Sequence, residues 1–260
     1  MAYMKTALIT GASEGIGKAF AQELATRQTN LVLVARSQDK LRTLADELQE
    51  QHKIRVEVIS QDLILQGACQ NLYDRVQDLE IEIDLLINNA GFGDYGAFAS
   101  RDLQKQLQMI QLNVSALVEL THLFLGQMQS RQQGAIVNVS SMSAFLPIPY
   151  MSIYAATKAF VLSFSESLWA ENRETGVKIL VVCPGPTESN FSEAADFPKV
   201  RKRNPSHIPA KEVVEKTLEA LNKAEPTIVT GGLGNQVVVN LPRFLPRETV
   251  VNLVEKQFKN

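Results

Sequence analysis

Short apolar runs alternate with longer segments whose apolar positions recur at helical spacing. Lys5-Thr6-Ala7-Leu8-Ile9-Thr10 reads as a short buried strand and Lys18 to about Arg27 as a helix. Asn30 to Ala35, Ile54 to Ile59, Ile83 to Ile87, Ala135 to Val139 and Val177 to Val182 read as further buried strands. Between them the apolar period is near 3.6, with the longest helices predicted over about Leu103–Gln129 and Ser152–Glu174. Strands alternating with helices predict right-handed βαβ units and a parallel sheet. In such a sheet ligands bind beyond the carboxyl ends of the strands, where the polar turns of this chain fall. After these come a helix from about Ala210 to Lys223 and a strand candidate, Thr227 to Thr230. A Gly231-Gly232-x-Gly234 turn, the β-branched run Val237-Val238-Val239 and a short amphipathic helix, Glu248 to Phe258, complete the tail.

Composition adds mainly exclusions. At 260 residues, 45% hydrophobic and 21% charged, the chain is that of an ordinary α/β protein with a sizeable core. A net charge of −2 gives no basic footprint for nucleic acid. Two cysteines, Cys69 and Cys183, and three scattered histidines predict neither a disulfide framework nor a metal cluster. No apolar run approaches membrane-spanning length, so the expectation is a reduced, cytoplasmic protein without an integral membrane segment. The Gln-rich stretch between Gln104 and Gln133 reads as a solvated helix face.

The turn after the first strand is Thr10-Gly11-Ala12-Ser13-Glu14-Gly15-Ile16-Gly17. Glycines let backbone approach a ligand closely, and the helix N-terminus offers free N–H groups and a positive dipole end to a pyrophosphate. The spacing Gly-x-x-x-Gly-x-Gly matches the general dinucleotide fingerprint only in part. At the end of the second strand, where an acid would hold the ribose hydroxyl of NAD, stand Ala35, Arg36 and Ser37. A missing acid beside a cation predicts NADP(H).

A second constellation begins where the run Ala135–Val139 stops. Ser141 follows that strand, and Tyr154 and Lys158 lie four residues apart, on one face of the next helix. A phenol has a pKa of about 10, and an ammonium close by lowers it. A hydroxyl at the strand end would then hold a substrate oxygen while the phenol gives or takes its proton. On its own, a Tyr and Lys at this spacing is more often a half-buried ring beside a solvated amine.

Together Thr10-Gly11-x-x-x-Gly15-Ile16-Gly17, Asp62, Asn88-Asn89-Ala90-Gly91, Asn113, Ser141, Tyr154-x-x-x-Lys158 and Pro184-Gly185 resemble the short-chain dehydrogenase/reductase family. The order and spacing agree from about residue 4 to 190. The resemblance implies one Rossmann-type domain, a doubly wound parallel sheet of roughly seven strands in three layers, and NAD(P)-dependent oxidation or reduction of a hydroxyl or carbonyl. It implies Tyr154 as general acid/base and Ser141 as the group orienting the carbonyl. Lys158 is implied as the residue that binds the nicotinamide ribose and depresses the tyrosine pKa, and Asn113 as the anchor of a water linking Lys158 to solvent. The cofactor would lie against Gly11, Ser13, Glu14, Gly15, Ile16, Gly17, Arg36, Ser37, Asp62, Leu63, Asn89, Ala90, Gly91, Tyr154, Lys158, Pro184, Gly185 and Thr187. For the nicotinamide carboxamide, Thr187 and Ser189 stay alternatives. No metal is implied.

Residues 187–210 form the most irregular stretch and are expected to be a substrate lid. Phe191 and Phe197 would cover an apolar substrate, joined by Phe145, Leu146, Ile148 and Tyr150. Lys199-Val200-Arg201-Lys202-Arg203 reads as a solvated loop, or else as an entrance for an anionic substrate or carrier. In layout the tail from about residue 231 resembles the branch of the family with extended C-termini, the fatty-acyl and steroid ketone reductases. Family members commonly associate through the helices around Leu103–Gln129 and Ser152–Glu174, so a homodimer or homotetramer is expected. Two other readings share the fold: a catalytically silent NADP(H)-binding regulator, and a sugar epimerase or dehydratase.

Overall fold

The computed structural model describes residues 5–189, 191–197 and 207–259. Its centre is one parallel sheet: β1 (Thr6–Thr10), β2 (Asn30–Ala35), β3 (Val56–Ser60), β4 (Leu85–Asn88), β5 (Gly134–Val139), β6 (Val177–Cys183) and β7 (Thr227–Val229). The order across the sheet is β3-β2-β1-β4-β5-β6-β7. The chain reverses direction across the sheet between β1 and β4, and such a switch point opens a crevice at the strands' carboxyl ends. The predicted third and fourth strands begin later than expected. Asp84 just precedes β4 because its buried carboxylate accepts from Lys5 N at 2.8 Å and Thr6 N at 3.0 Å, closing the sheet's lower edge.

Buried on both faces, the strands are near-continuous apolar runs whose alternate residues feed two cores. Ala7, Ile9, Leu31, Leu33, Leu85 and Ile87 face α1 (Gly15–Thr26), α2 (Gln38–His52) and α8 (Ala210–Asn222). Leu8, Val32, Val34, Leu86 and Ile136 face α3 (Ala68–Asp78) and α5 (Leu117–Ser130). On this second face α6 (Ser152–Glu171) packs Val161 and Leu162 against Val181 and Cys183 of β6. The result is three layers.

The helix expected over Leu103–Gln129 is α4 (Leu103–Ile110), a π-helical stretch over Gln111–Ala116, and α5. By length and composition, Leu103–Ser130 is apolar enough to cross a membrane. Its residues Met109, Ala116, Leu117, Leu120, Phe124 and Met128 are buried in the cores. Leu103, Leu107 and Ile110 are exposed on one side of α4.

In the tail, Val237-Val238-Val239 lies in α9 (Leu233–Asn240), where Val239 is buried and the other two are exposed. Gly231 and Gly232, at φ +100° and +85°, turn the chain off β7 into this helix. Asn235 donates to Thr230 O at 2.8 Å and sits so close to Gly185 that a Cβ there would overlap it. The last helix, α10 (Arg247–Phe258), packs Val250 and Val254 back onto the body of the protein.

Candidate active site

At the glycine turn, Gly11 (φ +65°) and Gly15 (φ +57°) adopt a backbone that favours glycine. A Cβ on Gly17 would fall 2.2 Å from Gly11 O, so this glycine serves helix–loop packing. Asn89 acts on the same loop: its Nδ2 donates to Thr10 O at 2.9 Å and to Gly11 O at 3.2 Å. Thr10 Oγ1 in turn accepts from Asn89 N and Ala90 N, both at 3.0 Å. Asn89 and Ala90 thus lock the two switch-point turns together. Ser13 is half-buried, Ile16 and Leu63 pack into the cores on the two faces of the sheet, and Asp62 closes an Asx turn onto Ile64 N at 3.1 Å.

The residues present fit a dinucleotide. The N-terminus of α1 has no side-chain cap and no acid in its first turn, so its N–H groups are open to a phosphate. Arg36 and Ser37 are exposed at the end of β2, and the Ser37 hydroxyl makes no cap bond to α2. Glu14, also exposed, pairs with Lys40 at 3.3 Å. Across the crevice, Met142 N donates to Pro184 O at 3.0 Å, joining the Ser141 turn to Pro184-Gly185. Thr187 Oγ1 donates to Gly185 O at 2.9 Å, whereas the Ser189 Cβ faces Gly15.

Beyond β5 the chain makes a 3-10 turn over Met142–Phe145, with the Ser141 side chain accepting from Ser143 N at 3.2 Å. On α6, Tyr154 is 9% and Lys158 6% exposed. Lys158 Nζ lies 5.8 Å from the Tyr154 ring centre and donates to Val139 O at 2.9 Å. Burial dominates both groups. It pushes the phenol up to about 12 against the opposing influence of the Ser141 and Ser143 hydroxyls, and brings the ammonium down to about 8. The expected depression of the tyrosine pKa by the lysine is therefore not seen in the free protein. An ammonium that is itself desolvated and bound to a carbonyl does not offset the phenol's own desolvation.

Asn113 lies in the π-helical stretch, a feature frequent at functional sites. Its amide is spent on the β4 loop and α6: Nδ2 donates to Phe92 O at 3.0 Å and Thr157 Oγ1 at 3.2 Å, and Oδ1 accepts from Phe92 N at 3.1 Å. A Cβ on Gly91 would come within 2.9 Å of Asn113 Oδ1 and 3.6 Å of Lys158 Nζ, so only a glycine lets the three meet. Below them Asn88 Nδ2 donates to Thr121 Oγ1 and Asn138 Oδ1, and Asn138 Nδ2 to Ser165 Oγ, tying β4, β5, α5 and α6 together.

Around Tyr154 the surface is apolar. Phe191, in the one-turn helix α7 (Phe191–Ala194), sits 5.2 Å ring to ring from Tyr154. Phe197, Leu146, Ile148 and Tyr150 join this cluster as expected; Phe145 does not, packing instead toward Val161 and Leu162 of α6. Three contributors carry no sequence signal. Gly93 admits Phe191, whose Cζ would stand 2.6 Å from a Cβ there. Tyr95 meets Phe197 in a tilted ring contact at 5.2 Å and donates to Phe258 O at 2.5 Å, so α10 forms a wall of the site. Asp94, its side chain fully buried, pairs with Arg101 and Lys105, which also reach Asp196 at 2.8 and 3.6 Å beside α7. Lys199–Arg203 falls outside the described residues.

The profile of the short chain dehydrogenase family matches residues 5–197. The human very-long-chain 3-oxoacyl-CoA reductase is 32% identical over 95% of this chain and 78% of its own length. The mouse 17-beta-hydroxysteroid dehydrogenase type 3 is 38% identical over 68% of this chain and 58% of its own. Among solved structures, a short-chain dehydrogenase from Sphingobium yanoikuyae in complex with NADPH superposes with a TM-score of 0.83 at 32% identity, covering 92% of this chain and 93% of the other. The sheet order, the glycine turn and the Ser, Tyr and Lys positions converge with these likenesses on one conclusion. The chain belongs to the short-chain dehydrogenase/reductase family and is an oxidoreductase acting on hydroxyl or carbonyl groups.

Proposed function

We propose that this protein is an NADP(H)-dependent reductase of an apolar carbonyl compound, running in reverse as an alcohol dehydrogenase. The observation that carries this reading is the meeting of Ser141, Tyr154 and Lys158 at the floor of an apolar enclosure built by Phe191, Ile148, Tyr95 and α10. The nicotinamide cofactor, when bound, supplies the hydride. The glycine turn and the α1 N-terminus would hold its pyrophosphate, and Arg36 with Ser37 its 2′-phosphate. Ser141 donates a hydrogen bond to the carbonyl oxygen and polarises it, while Tyr154 passes its proton to that oxygen as negative charge develops. Lys158 restores the phenol's acidity once a ligand reorders its contacts, and the Asn113 bonds hold the β4 loop against α6 so that this geometry persists.

The same reading treats residues 1–260 as one domain, with Phe191 and Phe197 of the lid covering the substrate and α10 walling its far side, residues 198–206 of the expected lid lying outside the described residues. Exposed Leu103, Leu107 and Ile110 on α4, with Phe160 on α6, make a face suited to a second copy. The buried free thiols Cys69 and Cys183 suit a reducing, cytoplasmic compartment.

NADPH consumption against carbonyls graded from short polar ketones to long acyl thioesters tests the reading. Turnover should rise with chain length; a preference for short polar ketones, or no turnover anywhere in the series, would reject it. Exchanging Ala35 for Asp and Arg36 for Ser should move the NADPH/NADH preference by about ten- to a hundredfold toward NADH, the scale of one or two lost hydrogen bonds to a charged group. An unchanged preference would mean that the 2′-phosphate is read elsewhere.

A further inference from the structure

One hydroxyl beside Tyr154 has no hydrogen-bond partner of normal geometry in the folded chain. Ser143 is 6% exposed, and its Oγ is buried with no hydrogen-bond partner. An unpaired buried hydroxyl costs about 1–3 kcal/mol, and such groups call for a functional explanation. Its position supplies one. Ser143 stands two residues beyond Ser141 in the same 3-10 turn, and its N–H donates to Ser141 Oγ at 3.2 Å. That bond holds the Ser141 hydroxyl against the backbone of the turn that carries Ser143. Both lie within electrostatic reach of the Tyr154 phenol, although Ser143 Oγ forms no hydrogen bond of normal geometry with it.

We propose that Ser141 and Ser143 form a two-hydroxyl clamp for a 1,3-dicarbonyl substrate, Ser141 on the ketone oxygen that is reduced and Ser143 on the neighbouring ester or thioester oxygen. The proposal rests on the reading of this site as a carbonyl reductase. In its cis arrangement a 1,3-dicarbonyl presents two oxygens side by side, one for each hydroxyl. Hydride forms the new C–H bond at the ketone carbon, the carbonyl π pair moves to its oxygen, and Tyr154 protonates that oxygen. The second carbonyl is unchanged and serves only as a handle. A simple ketone leaves Ser143 unpaired, and a site built to hydrogen-bond a group discriminates against substrates lacking it.

The test compares Ser143→Ala with the unaltered protein on two substrates. One is a 3-oxoacyl thioester of N-acetylcysteamine; the other is the methyl ketone of matched chain length, without the thioester carbonyl. For the thioester, kcat/KM should fall about tenfold, the fold-change of one lost hydrogen bond, while the simple ketone changes by less than about twofold. NADPH affinity, followed by fluorescence, reports whether the variant keeps its fold. Ser143→Thr, which retains a hydroxyl, should recover part of the loss. Equal losses on both substrates would overturn the clamp and make Ser143 a tuner of Tyr154. If the unaltered protein reduces neither substrate, the carbonyl-reductase reading itself fails.

Discussion

Tyr154→Phe should lower kcat by about 10²–10⁴ while leaving NADPH binding nearly intact, the scale on which a positioned general acid contributes. The substitution removes one oxygen and keeps the ring, so the tilted ring contact with Phe191 at 5.2 Å and the packing against Ile148 and Met151 survive. What is lost is the phenol beside Ser141 and Ser143 at the end of β5. With its pKa pushed up to about 12, the Tyr154 phenol stays protonated throughout the neutral range. Carbonyl reduction needs that proton, so its rate in the free-protein limit should not depend on Tyr154 titration below about pH 10. Alcohol oxidation needs the phenolate and should speed up as pH rises. Steady-state rates in both directions, with cofactor affinity measured separately by fluorescence, check this. Turnover retained in the phenylalanine variant would remove Tyr154 from the chemistry.

The parts of this molecule written in local patterns were legible from the sequence. Buried strands such as those holding Ala7–Ile9 and Leu31–Val34 carry continuous apolar runs, and the glycine turn and the Tyr154/Lys158 spacing are set within a few residues. What escaped depends on partners distant in the chain. Val237–Val239 has strand composition, but β7 is a short edge strand and the glycines at 231 and 232 redirect the chain into a helix. The π-helical turn that carries Asn113 makes no pattern of its own, and the partners of that side chain, Phe92 and Thr157, are 21 and 44 residues away in the chain. Asp94, Gly93 and Tyr95 sit in an aperiodic loop, and their roles appear only once α7 and α10 fold over it. Phe145 reads as a site residue by proximity in sequence to Tyr154, yet the 3-10 turn points it toward Val161 instead. Electrostatics was the least legible. Opposite shifts of Tyr154 and Lys158 follow from burial depth, which spacing on a helix does not disclose.

Burial of Lys158 sets the second large expectation, a contribution of this one residue to the stability of the cofactor-free protein that grows as pH increases from 7 to 9.5. The lysine has a pKa of about 8 in the folded chain against 10.5 for the free side chain. Below pH 8 both states carry the proton, and the folded state bears the full cost of the buried ammonium, on the order of 3 kcal/mol. Between about 8 and 10.5 the unfolded chain binds more protons than the folded one, so unfolding becomes less favourable as pH rises. Cys183 and Cys69, both pushed up to about 12 by burial, act with opposite sign as pH rises through 9.0, where the unfolded thiols lose protons that the folded ones keep, and Tyr154 joins them above pH 10. These contributions are common to the two proteins compared below and cancel in the difference. Urea unfolding at the two pH values, compared between the unaltered protein and Lys158→Met, isolates the term. The unaltered protein should gain about 2 kcal/mol more than the variant between pH 7 and 9.5. Methionine keeps the length of the stem and leaves Val139 O unpaired at both pH values, so that loss cancels in the difference. Parallel pH dependence in the two proteins would show that Lys158 is solvated when the cofactor is absent, and that the buried ammonium is not what the free enzyme holds in reserve for its substrate.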